Sequence, residues 1–171
     1  MNKHIDGKDK QYDDINEQRE VSFSEMPPGQ FLLGFLSSFD NRFQACFDNC
    51  FPEITWKQFF AIICVRVCGK DPTINELSEV MGSSHQNVKQ ILLKLENKGF
   101  VEMYSDSTDR RKQRIRLTDK CEKFCMENDK ESAVLTAKMS EGISNEDFAT
   151  TIKVISLLDG NIKKMQQEMK K

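Results

Sequence analysis

Residues 83–100, Ser83-Ser84-His85-Gln86-Asn87-Val88-Lys89-Gln90-Ile91-Leu92-Leu93-Lys94-Leu95-Glu96-Asn97-Lys98-Gly99-Phe100, decide the architecture. Val88, Ile91, Leu92 and Leu95 fall at i, i+3, i+4 and i+7, the spacing of one apolar helical face. Ser84, His85, Gln86, Lys89, Gln90 and Lys94 are left on the other face, and Gly99 ends the helix. Upstream, Thr73 with Glu76 is a capping box that opens a short helix, which Gly82 terminates. Ser78, a small residue four before Gly82, suits a close crossing of two helices. Leu77, Met81, Val88 and Ile91 supply the apolar contacts that hold them at a steep angle. The spacing predicts a helix-turn-helix over residues 74–93.

A helix pair of this kind places the first half of its second helix in the major groove of DNA. The side chains available there suit base edges. Gln86 and Asn87 match adenine bidentately, Lys89 reaches guanine or phosphate, and Ser84 serves either. His85 reads equally as a DNA contact, neutral or protonated, or as a solvent-facing residue near a helix start. Downstream, Phe100 to Tyr104 has strand composition. Arg114-Ile115-Arg116-Leu117 alternates strictly, which points Ile115 and Leu117 inward and the arginines outward. Ser105 to Lys112 between them is polar and turn-forming, so the pair reads as a β-hairpin with a cationic tip.

The chain carries a formal net charge of −2 over 171 residues, which by itself argues against a polyanionic partner. The distribution reverses that reading. Asp6, Asp9, Asp13, Asp14, Glu17, Glu20 and Glu25 make the first 25 residues acid-rich, whereas basic residues predominate from Lys89 to Lys120. Such a block is a footprint for phosphate, although a charge run alone is also the ordinary solvated face of a folded domain.

The junction of helix pair and hairpin carries a resemblance. The stretch Asp109-Arg110-Arg111-Lys112-Gln113-Arg114-Ile115-Arg116-Leu117-Thr118 is similar to the D-x-R-x5-L-T wing pattern of the MarR family of bacterial regulators (multiple antibiotic resistance regulators). Leu95-Glu96-Asn97-Lys98-Gly99-Phe100-Val101 resembles that family's helix exit, and Ile54-Thr55-Trp56-Lys57-Gln58-Phe59 the entry to its second helix. The likeness runs over roughly residues 30–165. It implies a mainly α fold with a small β-hairpin wing: a winged helix-turn-helix with N- and C-terminal dimerisation helices. It further implies a homodimer on double-stranded, pseudo-palindromic operator DNA, most often as a repressor. Arg111 would enter the minor groove, where arginine is favoured by focused negative potential, and Asp109 would orient it or a neighbour. Arg110, Lys112, Arg114 and Arg116 would meet phosphate. The DNA-binding candidates are therefore Ser84, His85, Gln86, Asn87, Lys89, Gln90, Lys94, Asp109, Arg110, Arg111, Lys112 and Arg114.

The flanks fit this frame. Residues 1–28 are expected as an acidic, disordered tail closed by Pro27-Pro28-Gly29, and residues 29–171 as the domain. Within it the winged helix-turn-helix spans about 53–118, with dimerisation helices at about 30–51 and 119–170. Phe31, Phe35, Phe39, Phe43, Phe47 and Phe51 recur every fourth residue, a stripe that drifts roughly 40° per repeat. Its two ends should bury different sides. Thr55 with Gln58 opens the next helix, apolar nearly all round. Thr118 and Ser144 begin two further long helices. No apolar run is long enough for a membrane span, and Met1 to Glu25 has no signal-like apolar core, so a cytoplasmic location and reduced thiols are the expectation.

The six cysteines form i, i+4 pairs, Cys46/Cys50, Cys64/Cys68 and Cys121/Cys125. Their Cβ atoms lie about 5–6 Å apart on a helix, too far for a disulfide. Core packing, thiol redox sensing and metal binding remain as readings; the spacings match no zinc-finger pattern. The family resemblance implies a small aromatic or phenolic effector, bound in a cleft lined by the first helix and Trp56. Phe43, Cys46, Phe47, Cys50, Trp56, Cys64 and Cys68 are thus the ligand or redox candidates. Nothing points to a cofactor. Catalysis by a thiol has little support, since the two histidines, His4 and His85, are not placed as its base. The alternative is a winged-helix protein-interaction module, or a thiol or metal sensor, whose main role is not base readout.

Overall fold

The computed structural model describes residues 26–169; the acidic stretch 1–25 and the last two residues lie outside them. Six helices and one hairpin follow in order: α1 Pro28–Cys50, α2 Trp56–Val67, α3 Ile74–Met81, α4 His85–Asn97, β1 Val101–Ser105, β2 Gln113–Leu117, α5 Asp119–Met139 and α6 Asn145–Glu168. The chain divides into two compact units, Met1–Thr118 and Asp119–Lys171.

In the first unit, local chemistry sets the helix starts. The Thr55 hydroxyl accepts from Gln58 N while the Gln58 side chain accepts from Thr55 N, both at 3.4 Å. Thr73 and Glu76 repeat the box at α3, with Glu76 accepting from Thr73 N at 2.6 Å. Each box satisfies two donors that a helix start otherwise leaves without partners. Gly82 ends α3 in the left-handed region, φ 61° and ψ 31°, and Ser83 N reaches back to Ser78 O at 3.0 Å. This Schellman closure turns the chain straight into α4.

The core sits where α2, α3 and α4 cross: Ala61, Ile62, Leu77, Val88, Leu92 and Leu95 are almost wholly buried. Removing any such leucine would cost about 2–5 kcal/mol, so the crossing is held far more firmly than its polar rim. β1 and β2 pair antiparallel, with Val101 opposite Leu117 and Met103 opposite Ile115. Buried Ile115 fastens the hairpin to that core. β2 has a second neighbour that the sequence does not announce. Ile115 N donates to Pro72 O at 2.9 Å, and Thr73 bridges to Arg114. The loop before α3 thereby acts as a third strand.

The phenylalanine stripe of α1 divides as its drift requires. Phe47 and Phe51 are buried and Phe43 is half-buried, whereas Phe35 and Phe39 are exposed. Phe47 packs on Trp56 and Phe59 of α2, ring centroids 5.2 and 5.4 Å away, and Phe43 meets Trp56 edge-on at 4.6 Å.

In the second unit, Cys121, Phe124 and Cys125 are the buried residues of α5. α6 opens on a Ser144–Asp147 capping box and has no buried residue at all. Phe148, Ile152, Leu157, Ile162 and Met165 stand exposed along it. No helix among the described residues is long and apolar enough to cross a membrane.

Candidate nucleic-acid interface

The buried face of α4 dictates what the opposite face presents. With Val88, Ile91, Leu92 and Leu95 turned inward, His85, Gln86, Asn87, Lys89, Gln90 and Lys94 are all exposed. Ser84 is the N-cap, and its hydroxyl accepts from Asn87 N at 3.3 Å. That oxygen is engaged in starting the helix. Asn87 is also engaged, since its amide nitrogen donates to Ser83 Oγ at 2.8 Å. Gln86 is therefore the less encumbered of the two amides considered for adenine.

The wing tip, residues 106–112, is built around a carboxylate rather than around its arginines. Asp106 is 4% exposed. It accepts from Thr108 Oγ1 at 2.6 Å, Thr108 N at 2.7 Å and Asp109 N at 2.9 Å, and it pairs with Arg114 Nε. The Thr108 hydroxyl, the Asp109 N–H and the Arg114 guanidinium together hold its carboxyl far below the usual carboxylate range. Main-chain bonds from Asp106 N to Lys112 O, 3.0 Å, and from Lys112 N to Asp109 O, 2.9 Å, close the loop. Arg110, Arg111 and Lys112 are left pointing to solvent. Asp109 accepts from Arg111, which holds its carboxyl below the ordinary value as well.

The strand arginines are both engaged within the protein. Arg114 shares the strand face of Arg116, opposite Ile115, but is half-buried there, bonded to Asp106 and, through Nη1, to Asp71 O at 2.7 Å. A buried carboxylate and the loop before α3 cover a residue that alternation alone would leave to solvent. Arg116 is exposed but pairs across the strands with Glu102 at 2.8 Å, and its guanidinium lies over the Tyr104 ring at 5.2 Å. Tyr104 in turn donates its hydroxyl to Asp71 Oδ2, which raises the phenol's pKa. Asp71 and Tyr104 were missed because they are each other's partners 33 positions apart, and the Asp106–Arg114 pair because it crosses the hairpin. The Asp106-x-Thr108 spacing, a turn pattern, was the one local signal, and it bears on Asp106 alone.

The start of α4 and the wing tip front the same concavity. A cavity of about 430 Å³ is lined by Glu76, His85, Lys89, Arg111, Lys112 and Arg114, among others. Four of these six carry positive charge. A second cavity, about 330 Å³, lies between α1, α2 and the helix-turn-helix, lined by Asp40, Gln44, Trp56, Phe60, Met81 and Asn87 among others. Of the ligand or redox candidates, Trp56 lines it.

The other candidates are scattered. Phe43 and Phe47 pack on Trp56 behind that cavity. Cys46 and Cys50 are exposed on α1, so core packing within this chain does not describe them; Cys64 is buried and Cys68 half-buried. Burial pushes the Cys64 thiol up, helped by Cys68. Burial, then the Glu76 carboxylate, does the same to Cys68. Neither is an activated thiolate. Among the described residues, no three His, Cys, Asp or Glu side chains gather as a metal site would require.

A three-helix core, a helix-turn-helix and a hairpin laid beside the loop preceding it define the class: a winged helix-turn-helix. The MarR family model matches residues 54–112, the winged helix of this chain. Solved structures share the wider fold. FabT from Streptococcus pneumoniae, in complex with DNA, is 23% identical with a TM-score of 0.58, covering 80% of this chain and 98% of its own. A cysteine-to-serine variant of MarR from E. coli, complexed with operator DNA, is 21% identical with a TM-score of 0.67, covering 81% and 99%. The organohalide-sensing regulator RdhR, in a 2,4-dichlorophenol-bound form, is 15% identical with a TM-score of 0.71, covering 85% and 87%.

Proposed function

We propose that this protein is a sequence-specific, double-stranded DNA-binding transcription regulator that works as a homodimer. The observation that carries the reading is the shared concavity: the exposed polar face of α4 and the cationic tip of the wing open onto one space. In that space α4 lies in the major groove, with Gln86, Lys89 and Gln90 toward base edges, while Arg111 reaches the adjacent minor groove. Arg110 and Lys112 meet phosphate. FabT and MarR, which share the fold and are solved in complex with DNA, support DNA as the partner. The exposed apolar residues of α1 and α6 support pairing of two chains. Repression is the expected sense, because a dimer on an operator excludes other proteins from that DNA.

Release is proposed to come from a small aromatic or phenolic effector in the cavity beside Trp56 and Phe60. That cavity touches α1, α2 and the start of α4, so filling it would change the spacing of two recognition helices in a dimer. The dichlorophenol-bound relative is consistent with this chemistry. The raised pKa values of Cys64 and Cys68 favour a ligand over thiol oxidation at these two positions.

The test is a mobility-shift titration against the duplex flanking the protein's own gene, with sedimentation in parallel. We expect a dimer at micromolar concentration, two chains per site, and half-sites about one helical turn apart. A monomer, or saturation at one chain per site, sinks the dimer; no preference over unrelated duplex sinks sequence-specific binding.

A further inference from the structure

We infer that Asp106 and Arg114 are the positioning pair of the wing, setting where Arg111 sits relative to α4, and that Arg114 does not itself neutralise DNA phosphate. The inference rests on the DNA-binding reading above. Three observations carry it. First, the Asp106 carboxylate is buried and accepts from Thr108 and Asp109 on one side of the tip and from Arg114 on the other. Second, the Arg114 guanidinium spans from Asp106 to the main-chain carbonyl of Asp71, in the loop that leads into α3. Third, the neighbouring bond from Ile115 N to Pro72 O ties the same strand to the same loop. The wing tip is thereby referenced to the start of the helix-turn-helix through one charge pair.

The sign of the Asp106 effect separates positioning from plain electrostatics. A carboxylate inside a basic wing subtracts from its attraction for phosphate. If charge alone mattered, removing it would tighten DNA binding. If Asp106 positions the tip, removing it loosens binding even though the wing becomes more positive.

The experiment measures operator affinity by fluorescence anisotropy for the full-length protein, Asp106→Asn, Asp106→Ala, Arg114→Lys, Arg114→Gln and the double variant Asp106→Asn/Arg114→Gln. Stoichiometric titration gives each variant's active fraction, and helical circular dichroism checks its fold. Asp106→Asn keeps an acceptor oxygen and covers the case in which Asp106→Ala fails to fold. We expect Asp106→Asn to bind roughly tenfold more weakly, and Arg114→Lys to stay weak although its charge is retained. The double variant should be little worse than either single one. The inference is overturned if Asp106→Asn binds as tightly as the unaltered protein or more so, if Arg114→Lys matches it, or if the two losses add. If the unaltered protein binds no duplex, the DNA-binding reading itself falls and takes this inference with it.

Discussion

Arg111 lies against Asp109, two residues before it, with Nε at 3.1 Å from Oδ1 and Nη2 at 3.3 Å from Oδ2. The Arg111 side chain is nevertheless 92% exposed. An exposed pair of this kind adds little to stability, so it directs the guanidinium without trapping it. Arg111→Ala should therefore leave folding intact while weakening operator binding, with a log–log salt slope smaller by about 0.9 if one phosphate contact is lost. An unchanged affinity across a salt titration would show that Arg111 does not touch DNA.

Gln86→Ala should act differently, because a base contact is worth about 1–3 kcal/mol of discrimination. The measurement is the ratio of affinities for operator and for a duplex mismatched at each position in turn. Asn87→Ala should change that ratio less, since its amide is already bonded to Ser83 Oγ. Equal effects at both positions would mean that Asn87 turns on binding.

Gly82→Ala tests the turn of the helix pair. Nothing lies within 4 Å of an added Cβ there, but φ is +61°. The cost is therefore conformational, about 1–2 kcal/mol, and thermal melting should fall by a few degrees. Gly82→Asn should lose less, because asparagine tolerates the left-handed region. A neutral Gly82→Ala would mean that the turn relaxes away from this geometry.

Acid should loosen the wing through Asp106. Its folded pKa is depressed from the ordinary 3.8, so its contribution is present above about pH 4 and is lost as pH falls through the folded value. Over that window the stability of Asp106→Asn should fall less steeply than that of the unaltered protein. Parallel melting curves below pH 4 would rule out the buried, multiply bonded carboxylate.

The parts of this fold that were readable in the sequence are those with local causes. Thr55 with Gln58 and Thr73 with Glu76 are each within one helical turn, so their boxes declare two helix starts. The face of α4 follows from spacing within a single helix, and every polar residue expected outside is exposed. The partial burial of Arg114 was not legible because its partners lie 8 and 43 positions away, and strand alternation says nothing about a carboxylate in the next loop. The same limit applied to the cysteines. An i, i+4 pair on an apolar helix gives no means of telling the exposed Cys46 from the buried Cys64, because the difference lies in which helix covers them.

The bare flank of α6 has a thermodynamic consequence. A helix running from Asn145 to Glu168 with no fully buried residue draws little hydrophobic stabilisation from its own chain at Ile152, Leu157 and Met165, each more than half exposed. Any further cover for Ile152, Leu157 and Met165 has to come from another molecule, by mass action. If that cover is a second copy, dilution is a denaturant for this protein. Its melting temperature is then a function of concentration, and the quantity a cell adjusts when it changes the number of copies is the folded fraction as well as the occupancy of its target.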